Sequence, residues 1–304
     1  GHCTRTLAFD ASGRLYISVG SYGNVDASSH RSRIRRFTIP EPVPSGGLDF
    51  QAGEVFADGL RNEVGLAFDR HGVLWGVENG ADNLVRADLG GDIHNENPAE
   101  ELNRFHESNA GKHYGYPYCW TEYSLPASQG GKGRLTQWAW PSFMNDGTHT
   151  DAWCRANSQP SHVAMQAHAA PLGITFFDHA IADASAASPD APACGAGAFP
   201  LSMDAHAFIP FHGSWNRNPP TGYKVVHLPM TAGGAAAANA PVDLLAHAGA
   251  GAKWPTGVRP VDARFDRCGR LLISDDGAGQ IIMITYKHSS SGGGSGGGSS
   301  SSPL

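Results

Sequence analysis

The sequence has few charged residues for its length. Asp, Glu, Lys and Arg make up only 16% of the 304 residues, whereas Gly (39) and Pro (20) are frequent. This composition disfavours long exposed helices and favours many short strands joined by tight turns. We therefore predict an all-β fold.

An excess of basic charge and a long apolar run are also missing. The 22 Lys and Arg residues stand against 28 Asp and Glu residues, so the formal charge is −6. This balance argues against a nucleic-acid partner. No apolar segment approaches the roughly 18 residues that cross a bilayer, so we predict no transmembrane segment. The first residues lack the pattern of a signal peptide, which is typical of a mature or trimmed chain.

The five cysteines form no Cys-x-x-Cys pair. They are Cys3, Cys119, Cys154, Cys194 and Cys268. Their spacing indicates neither a zinc ribbon nor a thioredoxin-like site and favours disulfides. Because the count is odd, at least one thiol is free or pairs with a cysteine outside this sequence. The pairing itself stays open.

One strand-turn-strand pattern recurs along the chain. It reads LAFDASGRLYISVG at residues 7–20, LAFDRHGVLWGVENG at 66–80 and ARFDRCGRLLISDDG at 263–277, and a weaker copy begins at Pro171. In each copy the Asp-x-x-Gly stretch forms the turn of an antiparallel hairpin. A β-sandwich could contain such hairpins, but recurrence of one type at irregular spacing is typical of a β-propeller with loop insertions.

Two low-complexity segments and a tail interrupt this pattern. Residues 180–200 and 231–250 are rich in Ala and Gly, which is typical of surface insertions. Residues 288–304 are a Gly/Ser-rich linker or tail that cannot form a core. We therefore predict a propeller domain over residues 1–287.

Several phrases, read in order, resemble one family. They are GHCTRTLAFD from Gly1, GLRNEVGLAFD from Gly59, VENGADN from Val77, HAAPLGITFF from His168, FHGSWNRNPPTGYKV from Phe211 and GVRPVDARFD from Gly257. Together they resemble the soluble dehydrogenases of glucose and sorbosone that depend on pyrroloquinoline quinone (PQQ). The resemblance implies a six-bladed β-propeller with the quinone and a calcium ion at the loops of one face. Because the chain opens on the phrase that holds the family's catalytic histidine, one N-terminal blade or more would be missing from it.

The resemblance also implies catalytic residues. His2 corresponds to the general base that removes the sugar hydroxyl proton, a task suited to an imidazole that titrates near neutral pH. Arg61 and Asn62 correspond to an Arg-Asn pair beside the reactive carbonyls of the quinone. A guanidinium there would stabilise negative charge on a quinone oxygen.

Metal and cofactor ligands follow from the same resemblance. Gly80 and Ala81 align with the backbone carbonyls that hold calcium, although the family has Gly-Pro where this chain has Gly-Ala, and Asp82 would add a carboxylate or cap a turn. The cofactor residues implied, which would face its three carboxylates, are Trp215, Arg217, Lys224 and Arg259. Trp215 has a second interpretation, as an aromatic residue of a blade core.

Three functions remain open on the sequence alone. The first is a secreted enzyme that oxidises an aldose or pyranose with PQQ and calcium and passes the electrons to an external acceptor. The second is a non-catalytic propeller that serves as a binding or scaffold module, with further domains or chains, in an extracellular assembly. The third is a calcium-dependent lactonase, which would require several carboxylates around one cation.

Overall fold

The computed structural model describes residues 2, 5–28, 30–182, 197–236 and 240–287, and strands dominate it. The strands are β1 (Arg5–Phe9), β2 (Leu15–Val19), β3 (Arg33–Phe37), β4 (Glu54–Asp58), β5 (Glu63–Phe68), β6 (Leu74–Glu78), β7 (Val85–Arg86), β8 (Gly91–Asp92), β9 (Glu100–Phe105), β10 (Lys112–His113), β11 (Cys119–Thr121), β12 (Gln137–Ala139), β13 (Val163–Met165), β14 (Thr175–Phe176), β15 (Ala207–Phe211), β16 (Lys224–Leu228), β17 (Val242–Leu245), β18 (Pro260–Phe265), β19 (Leu271–Asp275) and β20 (Gln280–Ile284). Helix α1 spans Asp151–Asn157. Short 3-10 helices span Phe50–Ala52, Ala87–Leu89, His94–Glu96, Glu107–Asn109, Ala127–Gln129 and Leu201–Met203. The all-β prediction is therefore confirmed as a mostly β structure with few helices.

Four larger sheets stand side by side. Sheet 1 has the order β1-β2-β3-β4-β10, sheet 2 β13-β9-β6-β5, sheet 3 β14-β15-β16-β17 and sheet 4 β18-β19-β20. Strand β5 contacts β1 of sheet 1 and β14 of sheet 3, and β18 of sheet 4 contacts β14 and β15. The sheets thus follow one another as neighbouring blades of a propeller do. The number of six blades stays a prediction, since the described residues contain these four.

The predicted hairpins are present, and one local device makes their turns. Strand β1 pairs with β2, β5 with β6 and β18 with β19, all antiparallel. At each turn one aspartate side chain accepts backbone N–H bonds from the residues two and four positions later; these aspartates are Asp10, Asp69 and Asp266. The glycine three positions after each aspartate has a positive φ of 82°, 73° or 70°, which favours glycine. The weaker copy also forms a strand, β14, whose partner β15 follows a long insertion.

Apolar clusters fill the spaces between neighbouring sheets. Tyr16 and Phe56 of sheet 1 pack with Leu74 of sheet 2. Trp75 of sheet 2 packs in one cluster with Phe211 of sheet 3, and further clusters join sheets 3 and 4. Because successive strand residues point to opposite faces, each inner sheet buries both of its faces against its neighbours.

The outer faces of sheets 1 and 4 carry exposed apolar side chains. On β1, Ala8 packs toward sheet 2, whereas Leu7 and Phe9 on the opposite face are 60% and 57% exposed. On β20, Ile281 and Met283 are 66% and 51% exposed. Each end of the series therefore presents an apolar face to solvent.

Disulfides are confirmed. Cys119 and Cys154 are bonded and tie β11 to helix α1, and Cys268 is also disulfide-bonded. Cys3 and Cys194 lie outside the described residues, as do the predicted tail 288–304 and most of the Ala-rich segment 180–200. Within the described part of the chain, no helix has the length and apolar character needed to cross a membrane.

Candidate functional site

Most of the predicted site residues meet at the end of the sheets opposite to the aspartate turns. His2 precedes β1, and Arg61 and Asn62 directly precede β5. Gly80 follows β6, which is antiparallel to β5, so the start of β5 and the end of β6 meet at one edge. Arg259 directly precedes β18. The hairpin topology therefore gathers residues that are far apart in sequence.

A cavity of about 240 Å³ lies at this end. Seven of the predicted residues line it: His2, Arg61, Asn62, Gly80, Asp82, Trp215 and Arg259. A second cavity of about 410 Å³, between the inner strands, shares His2 and Asn62 with the first. The second cavity is lined by strands β1, β5 and β18 and by residues 172–174, which directly precede β14.

Hydrogen bonds fix the orientation and the tautomer of His2. Its Nδ1 lies 2.8 Å from Ser21 Oγ, and that hydroxyl donates its own hydrogen to Gly23 O at 2.6 Å. Ser21 Oγ therefore accepts from Nδ1–H, which leaves the lone pair of the neutral ring on Nε2. Burial, and next the charge of Arg61, lower the pKa of His2 to about 4. The imidazole is consequently neutral, and able to take a proton, at neutral pH.

Close backbone approach beside His2 depends on Gly20. A Cβ at Gly20 would lie 2.6 Å from Asn62 Oδ1 and 2.8 Å from His2 Cβ. Any larger residue would push these two side chains apart. Asn62 Nδ2 donates to Asn79 Oδ1 at 3.3 Å, while the buried Asn62 Oδ1 has no hydrogen-bond donor among the described residues. Asn62 therefore offers an unused acceptor to a ligand rather than a donor.

The guanidinium of Arg61 uses all five of its N–H groups within the protein. Nη1 donates to the carbonyls of Asn79 (3.1 Å) and Gly80 (2.6 Å). Nη2 donates to Asn24 Oδ1 (3.1 Å) and Asp82 Oδ2 (2.9 Å), and Nε donates to Asn24 O (3.4 Å). Since a guanidinium has five N–H donors, none remains for a ligand. Arg61 supplies positive charge at the cavity wall, not a hydrogen bond.

Asp82 is the anionic partner of Arg61. Its side chain is 15% exposed and that of Arg61 is 6% exposed, so the ion pair is largely removed from solvent. The other carboxylate oxygen of Asp82 accepts from Asn216 Nδ2 at 2.8 Å. Asn24 joins the pair, because its Oδ1 also accepts from the Asp82 backbone N–H at 2.7 Å. The Arg61 and Asp82 loops are therefore locked to each other.

Arg259 and Trp215 differ from Arg61 in being available to a ligand. Arg259 donates from Nε to His212 O (3.2 Å) and from Nη2 to Gly213 O (3.1 Å), and no carboxylate among the described residues pairs with it. Trp215 lines the cavity and is 76% exposed, so the interpretation as a core aromatic is wrong. A free cationic edge and an open indole face together suit a planar anion.

Three predicted residues do not reach the cavity. Arg217 is held by Asn95 O at 2.6 Å and by an ion pair with Glu96, and Lys224 on β16 pairs with Asp243 at 2.7 Å. Ala81 is buried in an apolar cluster with Leu84 and Trp120, among others. Local partners therefore hold the side chains of Arg217 and Lys224 on the flank of the site.

Sequence reasoning missed several residues of the site. Glu100 is buried and accepts the backbone N–H groups of Gly80 (2.7 Å) and Ala170 (3.0 Å), and burial raises its pKa to about 8. His168, which also lines the cavity, donates from Nε2 to His94 O at 2.7 Å. The only signal was the phrase that begins at His168. Neither Glu100 nor Asn24 belongs to a recognisable sequence motif, because the residues that they contact are distant in sequence.

Three buried glutamates lie beneath the site on one face of sheet 2. Glu63 on β5, Glu78 on β6 and Glu101 on β9 are paired across the strands. Glu78 accepts the backbone N–H of Arg61, and Asn103 Nδ2 donates to both Glu63 and Glu78 at 3.1 Å. Burial raises the pKa of Glu63 and Glu78 well above the usual range and that of Glu101 to about 7. This cluster supports the backbone that presents Arg61.

Fold and site together define a β-propeller-like protein with a polar ligand pocket at one end of its sheets. The chain belongs to the TrAA12-like family, whose model matches residues 1–287. This match, together with the relatives and solved structures described next, confirms the resemblance to PQQ-dependent sugar dehydrogenases.

Two relatives show the extent of the similarity. The chain is 34% identical over 249 residues to a pyrroloquinoline quinone-dependent pyranose dehydrogenase of Coprinopsis cinerea, which covers 75% of this chain and 30% of that protein. It is 30% identical over 307 residues to a pyrroloquinoline quinone-dependent sugar dehydrogenase of Hypocrea jecorina, covering 93% and 62%. The chain therefore spans less than two thirds of either relative.

Solved structures agree with the fold. The holo form of the pyranose dehydrogenase PQQ domain from Coprinopsis cinerea superposes with a TM-score of 0.75 at 31% identity, covering 94% of this chain and 70% of that one. The iodide structure of a Trichoderma reesei family AA12 enzyme gives a TM-score of 0.75 at 30% identity, covering 93% and 68%. A structure titled glucose dehydrogenase shares the fold at a TM-score of 0.55.

Proposed function

We propose that this chain forms the sugar-oxidising part of a PQQ-dependent dehydrogenase that acts on an aldose or pyranose and passes electrons to an external acceptor. The observation that carries the proposal is the convergence of His2, Arg259 and Trp215 on one cavity. Relatives that are 30% and 34% identical are named as PQQ-dependent sugar and pyranose dehydrogenases, which supports the same chemistry for this chain.

The chemistry of the cavity fits a planar quinone that carries three carboxylates. Arg259 provides a cation with no carboxylate partner among the described residues. Trp215 provides an open aromatic face. We expect Arg259 to hold a carboxylate and Trp215 to cover the ring.

The residues of this chain then divide the reaction between them. When bound, the quinone supplies the acceptor for the hydride that leaves the sugar carbon. His2 Nε2 removes the proton of the hydroxyl group on that same carbon, so that the C–OH group becomes a carbonyl. The imidazole of His2 becomes an imidazolium, whose Nδ1–H stays hydrogen-bonded to Ser21. Arg61 places positive charge at the cavity wall, where it favours an anionic ligand and developing negative charge.

The calcium ion implied by the resemblance does not fit the predicted ligands. Gly80 O accepts a hydrogen bond from Arg61 at 2.6 Å, and Asp82 is bonded to Arg61 and Asn216. In the described ranges, no group of three or more His, Cys, Asp or Glu side chains is arranged to hold a metal ion. A calcium ion at these residues would have to displace the guanidinium of Arg61 from Gly80 O and Asp82.

We also propose that the protein acts outside the cell. The disulfide between Cys119 and Cys154 supports this location, because disulfides persist in oxidising compartments. An extracellular enzyme of this kind needs an acceptor for its electrons, either a small molecule or a further redox protein.

The test is reconstitution of the full-length protein with PQQ, with and without added Ca²⁺, followed by dye reduction with a panel of aldoses. We expect quinone binding and turnover in the wild type. His2→Ala should retain quinone binding and lose turnover, whereas His106→Ala, a control on an exposed turn after β9, should keep both. Absence of quinone binding would refute the proposal. Binding without turnover on any aldose would instead favour the non-catalytic module, and calcium-dependent lactone hydrolysis that ignores the quinone would favour the lactonase.

A further inference from the structure

Two histidines of sheet 3 face each other at the end of the sheet that is remote from the cavity lined by His2 and Arg259. His206 directly precedes β15, and His227 lies on β16. Their Nδ1 atoms are 3.2 Å apart, and their ring planes differ by only 4°. His212, which follows the other end of β15, lines the cavity. The length of β15 therefore separates the histidine pair from the proposed site of sugar oxidation.

Backbone hydrogen bonds hold both histidines in place. The carbonyl of His206 accepts the backbone N–H of Phe177 at 3.1 Å. His227 lies inside the sheet, where it pairs with Phe208 of β15 and with Val242 of β17. The two rings thus project from fixed strands, which is the arrangement that preorganises ligands for a metal ion.

The distance between the two nitrogens matches that of two ligands on one tetrahedral metal ion. Imidazole nitrogens lie about 2.0–2.1 Å from Zn²⁺, so two of them on a tetrahedral ion are about 3.3–3.4 Å apart. The observed separation of 3.2 Å between His206 Nδ1 and His227 Nδ1 is close to this value. A hydrogen bond between the two rings would stand at the long limit of ordinary hydrogen-bond distances, about 3.2 Å.

Both imidazoles are neutral at neutral pH and open to ions from solvent. Burial lowers the pKa of both rings, and the neighbouring His227 lowers that of His206 further. Because a metal ion binds the unprotonated ring, neither histidine has to give up a charge-bearing proton first. Both residues are half-buried, so solvent reaches the pair. Asp204 lies near His206, but its carboxylate is held by Arg70.

We propose that His206 and His227 bind one divalent transition-metal ion, of the zinc or copper kind, through their Nδ1 atoms. Imidazole nitrogen suits these ions, whereas calcium takes oxygen ligands. Water completes the coordination, since no set of three His, Cys, Asp or Glu ligands is arranged for a metal ion within the ranges that the structure describes. The ion ties the start of β15 to β16 and stabilises this end of sheet 3, because it binds the folded chain in preference to the unfolded one.

The experiment uses the full-length protein without a histidine tag and without quinone, stripped of metal with EDTA that is then removed. Calorimetry measures the binding of Zn²⁺ and, separately, of Cu²⁺. We expect His206→Gln and His227→Gln each to bind one ion fewer than the wild type, since an amide keeps hydrogen-bonding groups but is a poor ligand for these ions. The control His106→Ala, on an exposed turn, should bind as the wild type does. Zn²⁺ should raise the melting temperature of the wild type and of neither Gln variant.

A second measurement identifies the ligand atoms. Nitrogen NMR of the wild-type histidine rings should show that Zn²⁺ shifts the Nδ1 resonances of His206 and His227. Equal metal binding by the wild type and both folded Gln variants would overturn the inference and leave the two rings as a hydrogen-bonded pair. Unshifted Nδ1 resonances would overturn it as well, and this result needs no variant to fold. Because the titrations contain no quinone, their failure leaves the proposed function untouched.

Discussion

The ion pair between Arg61 and Asp82 makes a quantitative prediction about stability. Its nitrogen and oxygen lie 2.9 Å apart, and both side chains are largely buried, at 6% and 15% exposed. Asp82→Ala leaves the guanidinium buried without its counter-charge and also leaves the Asn216 amide without an acceptor. Breaking a buried pair by removing one partner costs about 3–5 kcal/mol of unfolding free energy.

The matched control is Asp243→Ala, which breaks the ion pair with Lys224. That pair has a similar distance of 2.7 Å, but the Asp243 side chain is 54% exposed. An exposed pair contributes about 0–1 kcal/mol, because solvent screens it and the side chains lose entropy in forming it. The difference between the two variants therefore isolates the effect of burial.

Equilibrium unfolding in urea measures both costs. Urea is preferred to guanidinium chloride, which is a salt and would screen the ion pairs. The double variant Arg61→Ala/Asp82→Ala should lose less than the sum of the two single variants, since neither charge is then left alone. If Asp82→Ala costs no more than Asp243→Ala, the account of Arg61 as a buried, paired cation is refuted.

Three further predictions concern other parts of the molecule. Replacing Cys119 and Cys154 by Ser opens a loop with a sequence separation of 35 and should cost about 4 kcal/mol of unfolding free energy, measured in urea; no loss would contradict a structural role for this disulfide. Burial raises the pKa of Glu63 in the folded protein, so this carboxyl loses its proton at a lower pH in the unfolded chain than in the folded one. The free energy of unfolding should therefore fall as the pH rises above 4.5. Glu63→Gln should flatten that decline, and an unchanged pH profile would count against the buried cluster. The His2 ring should titrate near pH 4 by NMR in the quinone-free protein, and Arg61→Gln should raise that pKa, because the charge of Arg61 lowers it; a wild-type pKa of about 6.5 would contradict the buried site.

Local patterns made the hairpins predictable from the sequence. The Asp-x-x-Gly turns contain their own hydrogen-bond partners, because Asp10, Asp69 and Asp266 bond to backbone groups only two and four residues away. The same logic explains why β14 was a weaker prediction, since its partner strand follows a long insertion. Sheet order and the pairing of Cys119 with Cys154 depend on distant contacts, which one sequence does not contain.

The sequence predicted most of the residues that line the site, but it did not predict which partners their side chains would contact. His2, Arg61 and Arg259 line one cavity as the resemblance implied. Arg217 and Lys224 are in the matching phrases, yet acidic neighbours hold them outside the cavity. A side chain's nearest counter-charge decides where it points, and that neighbour is often remote in sequence.

The predicted calcium site failed to fit for the same reason. Asn24, which carries no recognisable motif, is 37 positions from Arg61 and supplies two of its five acceptors. Glu100 also belongs to no recognisable motif, although its carboxyl group accepts hydrogen bonds from the backbone of two loops of the cavity. Only the assembled structure shows that the oxygens expected to bind a metal ion face a guanidinium.

Equilibrium binding of PQQ to the wild type, Arg259→Gln and Arg70→Gln, followed by tryptophan fluorescence in excess Ca²⁺, tests the central claim most directly. Arg70 is the control because it lies at the opposite end of the sheets, paired with Asp204. We predict that Arg259→Gln weakens binding about ten- to hundredfold, as expected for loss of a charge-assisted hydrogen bond, and that Arg70→Gln binds like the wild type. Equal binding by all three proteins would contradict an anionic quinone held at this cavity.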